Sequence, residues 1–133
     1  MKVLALDLGQ KRIGVAIANG EIVSSRETIV FKEKQEAINT IFELCRKENI
    51  DKIVLGLPKG QVDSEDKVRS FAMDLNKITA ISVDLTDETL TSKEAERLLK
   101  ELKINPRTEK YKREIDRLAA KLILEQYLKE IKN

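Results

Sequence analysis

Residues 3–18 read VLALDLGQKRIGVAIA and predict two β-strands joined by a tight turn. Val3 to Leu6 is apolar and leads to Asp7, which predicts a buried central strand. Residues 9–12 have turn character and separate this strand from a second apolar run, Ile13 to Ala18. The sequence here therefore predicts a β-hairpin that carries a carboxylate in its first strand.

The remainder of the chain predicts strands and helices in the order of an α/β fold. The expected elements are a third strand at residues 22–30 that bends near Ser24 and Ser25, a helix at 33–48, strands at 52–57 and 80–85, helices that open at Ser64 and Thr91, and a last helix after a basic loop at 103–112. Helical crossovers make strands four and five parallel to strand one. We therefore expect a mixed five-stranded sheet, three antiparallel strands followed by two parallel ones, flanked by helices.

The composition restricts the chemistry that the chain can perform. The sequence contains no histidine and a single cysteine, Cys45, which excludes Ser/His and Cys/His triads, zinc sites based on these residues, and intramolecular disulfides. Any metal must therefore be held by oxygen ligands, which suit magnesium or manganese, and these ions mostly serve phosphoryl transfer. Cys45 lies on the apolar face of the first predicted helix, which favours a buried hydrophobe over a reactive thiol.

Length and charge define the broad class of protein. A chain of 133 residues has room for one hydrophobic core, so we expect a single domain over residues 1–133. The net charge of +2 is only mildly basic and neither requires nor excludes a nucleic-acid partner. The N-terminus shows no signal-peptide pattern and no apolar run approaches membrane-spanning length, so we expect a cytoplasmic protein with no membrane partner.

Acidic residues follow two of the three strands that should run parallel. Asp7 ends strand one, and Asp87 and Glu88 follow strand five. Sites in such sheets form at the carboxyl ends of the parallel strands. A carboxylate in an otherwise apolar strand is unfavourable unless a cation satisfies it. Asp7 is therefore satisfied either by a bound metal or by Lys11, Arg12 or backbone amides in the turn.

Another acid lies near the start of the last helix. Asp116 falls on the edge of the apolar face that Ala119, Ile123 and Tyr127 define. It is either directed at the strand ends or a first-turn acid favoured by the helix dipole. A cluster of Asp116 with the strand-end acids would need cations, because neighbouring carboxylates raise one another's pKa. Two divalent cations at such a cluster would support in-line cleavage of a phosphodiester.

Basic residues supply the phosphate contacts on which polynucleotide binding depends. They occur in the turn after strand one, in the turn after strand four and around the start of the last helix. The expected nucleic-acid contacts are Lys11, Arg12, Lys59, Lys112 and Arg113. With two tyrosines and three phenylalanines in the chain, base stacking is not supported as the main binding mode.

Four segments together resemble the YqgF (RuvX) family. They are Leu4–Ala18 (LALDLGQKRIGVAIA), Ile53–Lys59 (IVLGLPK), Asp87–Leu99 (DETLTSKEAERLL) and Ile115–Leu128 (IDRLAAKLILEQYL), in the family's order and approximate spacing. The family is known for Holliday-junction resolvases and pre-16S rRNA processing nucleases of the RNase H-like superfamily. The resemblance covers essentially the whole chain and implies an RNase H-like fold and nuclease activity.

The resemblance also implies which acids are functional. The implied catalytic residues are Asp7, Asp87, Glu88 and Asp116. Asp7, Glu88 and Asp116 are the expected ligands of Mg²⁺ or Mn²⁺. The choice between Asp87 and Glu88 stays open, because adjacent strand residues point to opposite faces of the sheet.

The resemblance assigns Lys11 and Arg12 to nucleic-acid contact, and the chain departs from the family pattern in two places. Family members usually carry Arg where this chain has Thr89. They also have a longer loop where this chain has Lys59 to Ser64. Both departures concern substrate contacts more than the metal site.

The sequence thus predicts a magnesium- or manganese-dependent endonuclease that acts on structured nucleic acid, with an rRNA precursor and branched DNA both open as the substrate. A second hypothesis is a nucleic-acid-binding ribosome-assembly factor with little turnover, suggested by the modest basic charge and the missing Arg at position 89. A third is an interaction protein that forms a homodimer through its terminal helix. It rests on that helix's apolar stripe, which is more simply core.

Overall fold

The computed structural model describes residues 1–132, with the side chains of residues 89–92 outside that description. The strands are β1 (Lys2–Leu8), β2 (Arg12–Asn19), β3 (Ile22–Val30), β4 (Lys52–Leu57) and β5 (Val83–Asp87). The helices are α1 (Lys34–Glu48), α2 (Val62–Thr79), α3 (Thr89–Glu101) and α4 (Glu109–Lys132). The order of strands and helices is the one that the sequence predicts.

The five strands form one mixed sheet in the order β3-β2-β1-β4-β5. β2 pairs antiparallel with both β1 and β3, and β4 pairs parallel with both β1 and β5. This confirms the predicted α/β architecture of three antiparallel strands followed by two parallel ones. The carboxyl ends of β1, β4 and β5 therefore lie at the same edge of the sheet.

The two faces of the sheet carry separate hydrophobic cores. Side chains alternate along β1, so that Leu4 and Leu6 belong to a core with α1 and α2 on one face. Val3 and Ala5 belong to a core with α4 on the other face. Asp7 follows the alternation of Val3 and Ala5 and is therefore directed to the α4 side.

Helix α2 begins and ends at residues that the sequence did not indicate. The helix starts at Val62 rather than at Ser64, and the side chain of Glu65 accepts a hydrogen bond from the backbone N–H of Gly60 at 3.2 Å. At the other end Ala80 adopts the left-handed conformation, with φ of 61°, and ends the helix. The predicted start of β5 at Ala80 is therefore wrong, and the strand begins at Val83.

The other boundaries differ from prediction by a few residues. Helix α3 begins at Thr89, two residues before the predicted start, and the side chains of Thr91 and Ser92, which should cap it, lie outside the described residues. β3 has an irregularity directly after the two serines near which the sequence predicts a bend. The register of β3 against β2 shifts between the pairs Ile13–Ile29 and Val15–Arg26.

The apolar stripe of α4 is buried in the core. Its members Ala119, Ala120, Ile123, Leu124 and Tyr127 are covered by the sheet, so the stripe that suggested a dimer interface packs within the chain. None of the helices in the described part of the chain has the length and apolar character of a membrane span. Cys45 is buried, and burial raises the pKa of its thiol to about 11, which confirms it as an unreactive core residue.

Helix α4 comes very close to the sheet at Gly14 in β2. A Cβ placed on this glycine would overlap the backbone carbonyl oxygen of Asp116. Gly14 also pairs with Asp7 across the β1–β2 ladder. The missing side chain at position 14 therefore lets α4 bring Asp116 to the end of β1.

Replacing Gly14 with alanine should push α4 away from the sheet, because the obstructing atoms belong to the helix backbone. We expect Gly14→Ala to lower the free energy of unfolding by roughly 1–3 kcal/mol, measured by urea denaturation. The control is Ser25→Ala on exposed β3, which should change stability by less than about 0.5 kcal/mol. Equal stability of Gly14→Ala and the wild-type protein would contradict the close contact.

Candidate active site

Asp7 and Glu88 meet at the carboxyl edge of the parallel strands. Asp7 is the half-buried penultimate residue of β1, and Glu88 directly follows β5. The backbone N–H of Glu88 donates to the carbonyl oxygen of Leu57 at 3.1 Å, which ties the end of β5 to the end of β4. The two side chains are joined by a hydrogen bond.

Glycine at position 56 makes room for this contact. A Cβ on Gly56 would lie 2.6 Å from Oε2 of Glu88 and 2.7 Å from the side chain of Ile123. The Glu88 side chain therefore lies over the backbone of β4 and reaches the strand that carries Asp7. Of the two acids that the sequence left open, Glu88 is the one whose side chain contacts Asp7, and Asp87 influences the pair through its charge.

Both carboxyl groups of the pair have raised pKa values. Burial raises the pKa of Asp7 well above its usual range, and the charge of Glu88, the hydrogen bond to Glu88 and the charge of Asp116 raise it further. Burial also raises the pKa of Glu88, against the lowering effect of the Asp7 hydrogen bond. A hydrogen bond between two carboxyl groups requires that one of them keeps its proton. The pair holds a proton at a position where a metal cation would otherwise balance the charge.

Asp116 reaches the same region from α4 and is paired with Arg12. The Nε of Arg12 donates to Oδ2 of Asp116 at 2.9 Å, and the two side chains are only 28% and 17% exposed. The sequence left open a basic partner in the turn for Asp7. The structure instead pairs Arg12 with Asp116, whose charge still acts on Asp7. Arg12 therefore neutralises part of the acidic cluster.

The remaining predicted basic contacts are exposed at the surface. Lys11 lies in the β1–β2 turn and Lys59 in the turn that follows β4. Both turns are at the edge of the sheet that holds the acids. Lys112 and Arg113 lie in the first turns of α4, and Nζ of Lys112 is 3.4 Å from the carboxylate of Glu109.

The two departures from the family pattern differ in what the structure describes. The side chain of Thr89 lies outside the described residues. Residues 59–61 form a tight turn that leads directly into α2 at Val62, with the N–H of Lys59 donating to the carbonyl oxygen of Leu57 at 2.9 Å.

A polar network between β5 and α4 positions the segment that carries Glu88. Gln126 donates from Nε2 to the carbonyl oxygen of Asp87 at 2.8 Å and to Oγ1 of Thr86 at 3.1 Å. Thr86 is 4% exposed, and its hydroxyl donates to the carboxylate of Glu130 at 3.1 Å. Gln126, next to Tyr127 of the core face of α4, is not among the site residues predicted from the sequence. A polar residue on such a face was the signal that it has a partner.

Two solved structures that contain Holliday junctions align with almost the whole chain. T. thermophilus RuvC in complex with Holliday junction substrate aligns with a TM-score of 0.63 at 12% identity, covering 98% of this chain and 96% of that one. The fowlpox virus resolvase in complex with Holliday junction DNA aligns with a TM-score of 0.62 at 16% identity, with both chains fully covered. The fold is therefore the RNase H-like fold of the resolvases.

Sequence comparison identifies the family within this class. A family model described as RuvX, Holliday junction resolvase, matches residues 1–130. The chain is 40% identical to a protein of Caldanaerobacter subterraneus subsp. tengcongensis, over 100% of this chain and 99% of that protein. It is 39% identical to one of Syntrophus aciditrophicus, over 98% of this chain and 90% of that protein. Both relatives are named as candidate pre-16S rRNA nucleases. The chain belongs to the RuvX family of nucleases.

The raised pKa of Asp7 predicts how stability depends on pH without divalent metal. A group whose pKa is higher in the folded state stabilises that state below its unfolded pKa, about 4, and this contribution is lost as pH rises through the folded pKa. We therefore expect Asp7→Asn to melt several degrees above the wild-type protein at pH 8 in EDTA, with little difference near pH 4. Thermal melts across this range measure the effect.

The matched control is Glu43→Gln on the exposed surface of α1, where the side chain of Glu43 is 70% exposed. This variant should follow the wild-type melting curve at every pH. A constant difference between Asp7→Asn and the wild-type protein from pH 4 to pH 8 would contradict the assignment of the raised pKa to Asp7.

Proposed function

We propose that the chain, as a single cytoplasmic domain, is a divalent-metal-dependent endonuclease that acts on structured nucleic acid, either precursor ends of 16S rRNA or Holliday junctions. The observation that carries the proposal is the contact between Asp7 and Glu88, with Asp116 near enough to raise the pKa of Asp7. The names of the RuvX family model and of the relatives support both substrates.

The donor atoms of the cluster suit a hard divalent cation. All three side chains offer carboxylate oxygens, which Mg²⁺ and Mn²⁺ prefer, and the chain has no histidine to offer in their place. Within residues 1–132, leaving aside the side chains of 89–92, no three acidic or cysteine side chains are arranged so that they could hold a metal ion as they stand. Oδ2 of Asp116 is held by the ion pair with Arg12, which a metal bound at this carboxylate would have to displace.

The acids and the basic turns have complementary roles in this proposal. Asp7, Glu88 and Asp116 would hold the metal, which when bound would activate a water molecule and stabilise the charge that develops on the scissile phosphate. Lys11 and Lys59 at the same edge of the sheet would contact the phosphate backbone on either side. Arg12, once displaced from Asp116, would be close enough to join them.

The central experiment is a cleavage assay on two substrates, a four-way DNA junction and an RNA that carries an unprocessed 16S end. With Mg²⁺ or Mn²⁺ we expect the wild-type protein to cut one of them. Asp7→Asn and Asp116→Asn should each lower the rate at least about 100-fold, because each removes a metal ligand. Glu43→Gln serves as the surface control and should retain full activity.

Cleavage by Asp7→Asn at the wild-type rate would refute the nuclease site. Tight binding of either substrate by the wild-type protein without any cleavage would instead favour the second hypothesis, a nucleic-acid-binding ribosome-assembly factor. The Arg12–Asp116 ion pair is the observation that favours this alternative, because it occupies one of the acids.

Removing Arg12 should make the protein respond more strongly to divalent metal. In Arg12→Gln the carboxylate of Asp116 loses its partner, so the metal-free protein should be less stable by about 1 kcal/mol. Mg²⁺ should then raise the melting temperature more than it does for the wild-type protein, because no ion pair has to break first.

The control for this experiment is Arg97→Gln, which removes an exposed ion pair on α3 and should leave the response to Mg²⁺ unchanged. An equal response of Arg12→Gln and the wild-type protein would contradict competition between Arg12 and a metal ion for Asp116.

A further inference from the structure

A groove of about 710 Å³ opens beside the acidic site on the opposite face of the sheet. One wall is formed by the β1–β2 turn and by Phe31, and the other by Pro58 and the first half of α2. Its volume falls in the range of pockets that hold small organic groups. Apart from Glu88, none of its lining residues has a part in the proposed cleavage chemistry.

Glu88 connects the groove to the acidic site. Glu88, whose side chain contacts Asp7, is one of the residues that line the groove, and Gly9 and Gln10 of the groove follow Asp7 closely in the chain. A nucleic-acid strand with a phosphate at the acids would therefore pass beside this groove.

The charges of the groove favour a neutral group over a phosphate. Lys34 and Lys67 line it, but so do Asp66 and Glu88, and Nζ of Lys34 is 2.6 Å from the carboxylate of Asp74. A phosphate would therefore meet as many acids as bases. A neutral group would avoid that repulsion.

The polar and apolar side chains of the groove match a flat heterocycle. Leu8, Ile13 and Phe71 provide apolar surface, and Gln61 and Ser64 provide hydrogen-bonding groups without charge. Amide and hydroxyl groups can pair with the edge of a base, and apolar or aromatic surface can cover its face.

Phe31 is the more exposed of the two phenylalanines that line the groove, and it is the one placed to stack on such a group. It is half-buried, packs partly against the core on this face and also lines the groove. Its backbone N–H donates to the carbonyl oxygen of Lys11 at 3.0 Å, which fixes it beside the turn that carries the expected phosphate contacts. Stacking was not expected as the main binding mode, and one aromatic residue provides for a single base.

We propose that this groove binds one unpaired nucleobase of the substrate, next to the phosphate at the acidic site. The assignment deepens the proposed function and rests on it for the position of the phosphate. Recognition of an unpaired base would direct the protein to junctions, bulges and single-stranded ends in preference to continuous duplex.

The test compares two short fluorescein-labelled DNA duplexes, one with an unpaired thymine and one with an abasic residue at the same place. Affinities are measured by fluorescence anisotropy in EDTA, so that metal-dependent cleavage does not interfere. The wild-type protein should bind the abasic probe roughly 5- to 50-fold more weakly, the range expected for loss of one base–aromatic stack.

Two matched variants locate the effect. Phe31→Leu keeps apolar volume but removes the aromatic face, and it should reduce the difference between the probes to less than about 3-fold while leaving affinity for the abasic probe unchanged. Phe42→Leu, at a half-buried position on α1 outside the groove, should keep the wild-type ratio. Gln61→Ala, at an exposed position, provides a second groove variant that does not depend on core packing, and it should also lower the ratio.

Equal binding of both probes by the wild-type protein would overturn the assignment, and so would an unchanged ratio in both Phe31→Leu and Gln61→Ala. These outcomes are separate from failure of the nuclease proposal. A base-dependent ratio that is lost in the groove variants would support the groove even if no substrate is cleaved.

Discussion

The ionised form of Asp7 is unfavourable at the end of a buried central strand, and the surrounding structure is arranged around that constraint. The alternation of β1 directs this side chain toward α4, away from the larger core. Glu88 and Asp116 then add negative charge instead of relieving it. Stability alone does not account for three acids there, and clusters of carboxyl groups with shifted pKa values are typical of functional sites.

Two glycines provide the space for the three acids to come together, and one arginine offsets part of their negative charge. Gly56 lets Glu88 cross β4, and Gly14 lets the backbone of α4 approach β2. Arg12 supplies a positive charge to Asp116, while a shared proton serves Asp7 and Glu88. The acid cluster is therefore balanced internally before any partner binds, and each of these balancing interactions is one that a cation can replace.

The sequence was sufficient to predict the strands of the sheet, but it did not predict the side-chain contacts between distant elements. Alternation and turn residues correctly predicted the hairpin and the parallel strands, because those signals are local. The Arg12–Asp116 pair joins residues that are 104 positions apart, and no periodicity predicts which of two nearby basic residues an acid will choose. The contact of Glu88 with Asp7 depends on the space that Gly56 leaves for the Glu88 side chain. The role proposed for Phe31 follows from the groove, which forms only where distant parts of the chain come together.

The separation of the two cores determines when the acids come together. The fully buried residues of the larger core lie between Leu4 and Leu75, whereas the smaller core needs α4. A chain emerging from the ribosome, which folds from its N-terminal part first, can therefore build most of the sheet before Asp116 is in place. Local opening of α4 in the folded protein would likewise separate Asp116 from Asp7 and Glu88 while the larger core stays folded. Docking of this helix is thus the last step in assembling the acid cluster, and most of the sheet is folded before the three acids are together.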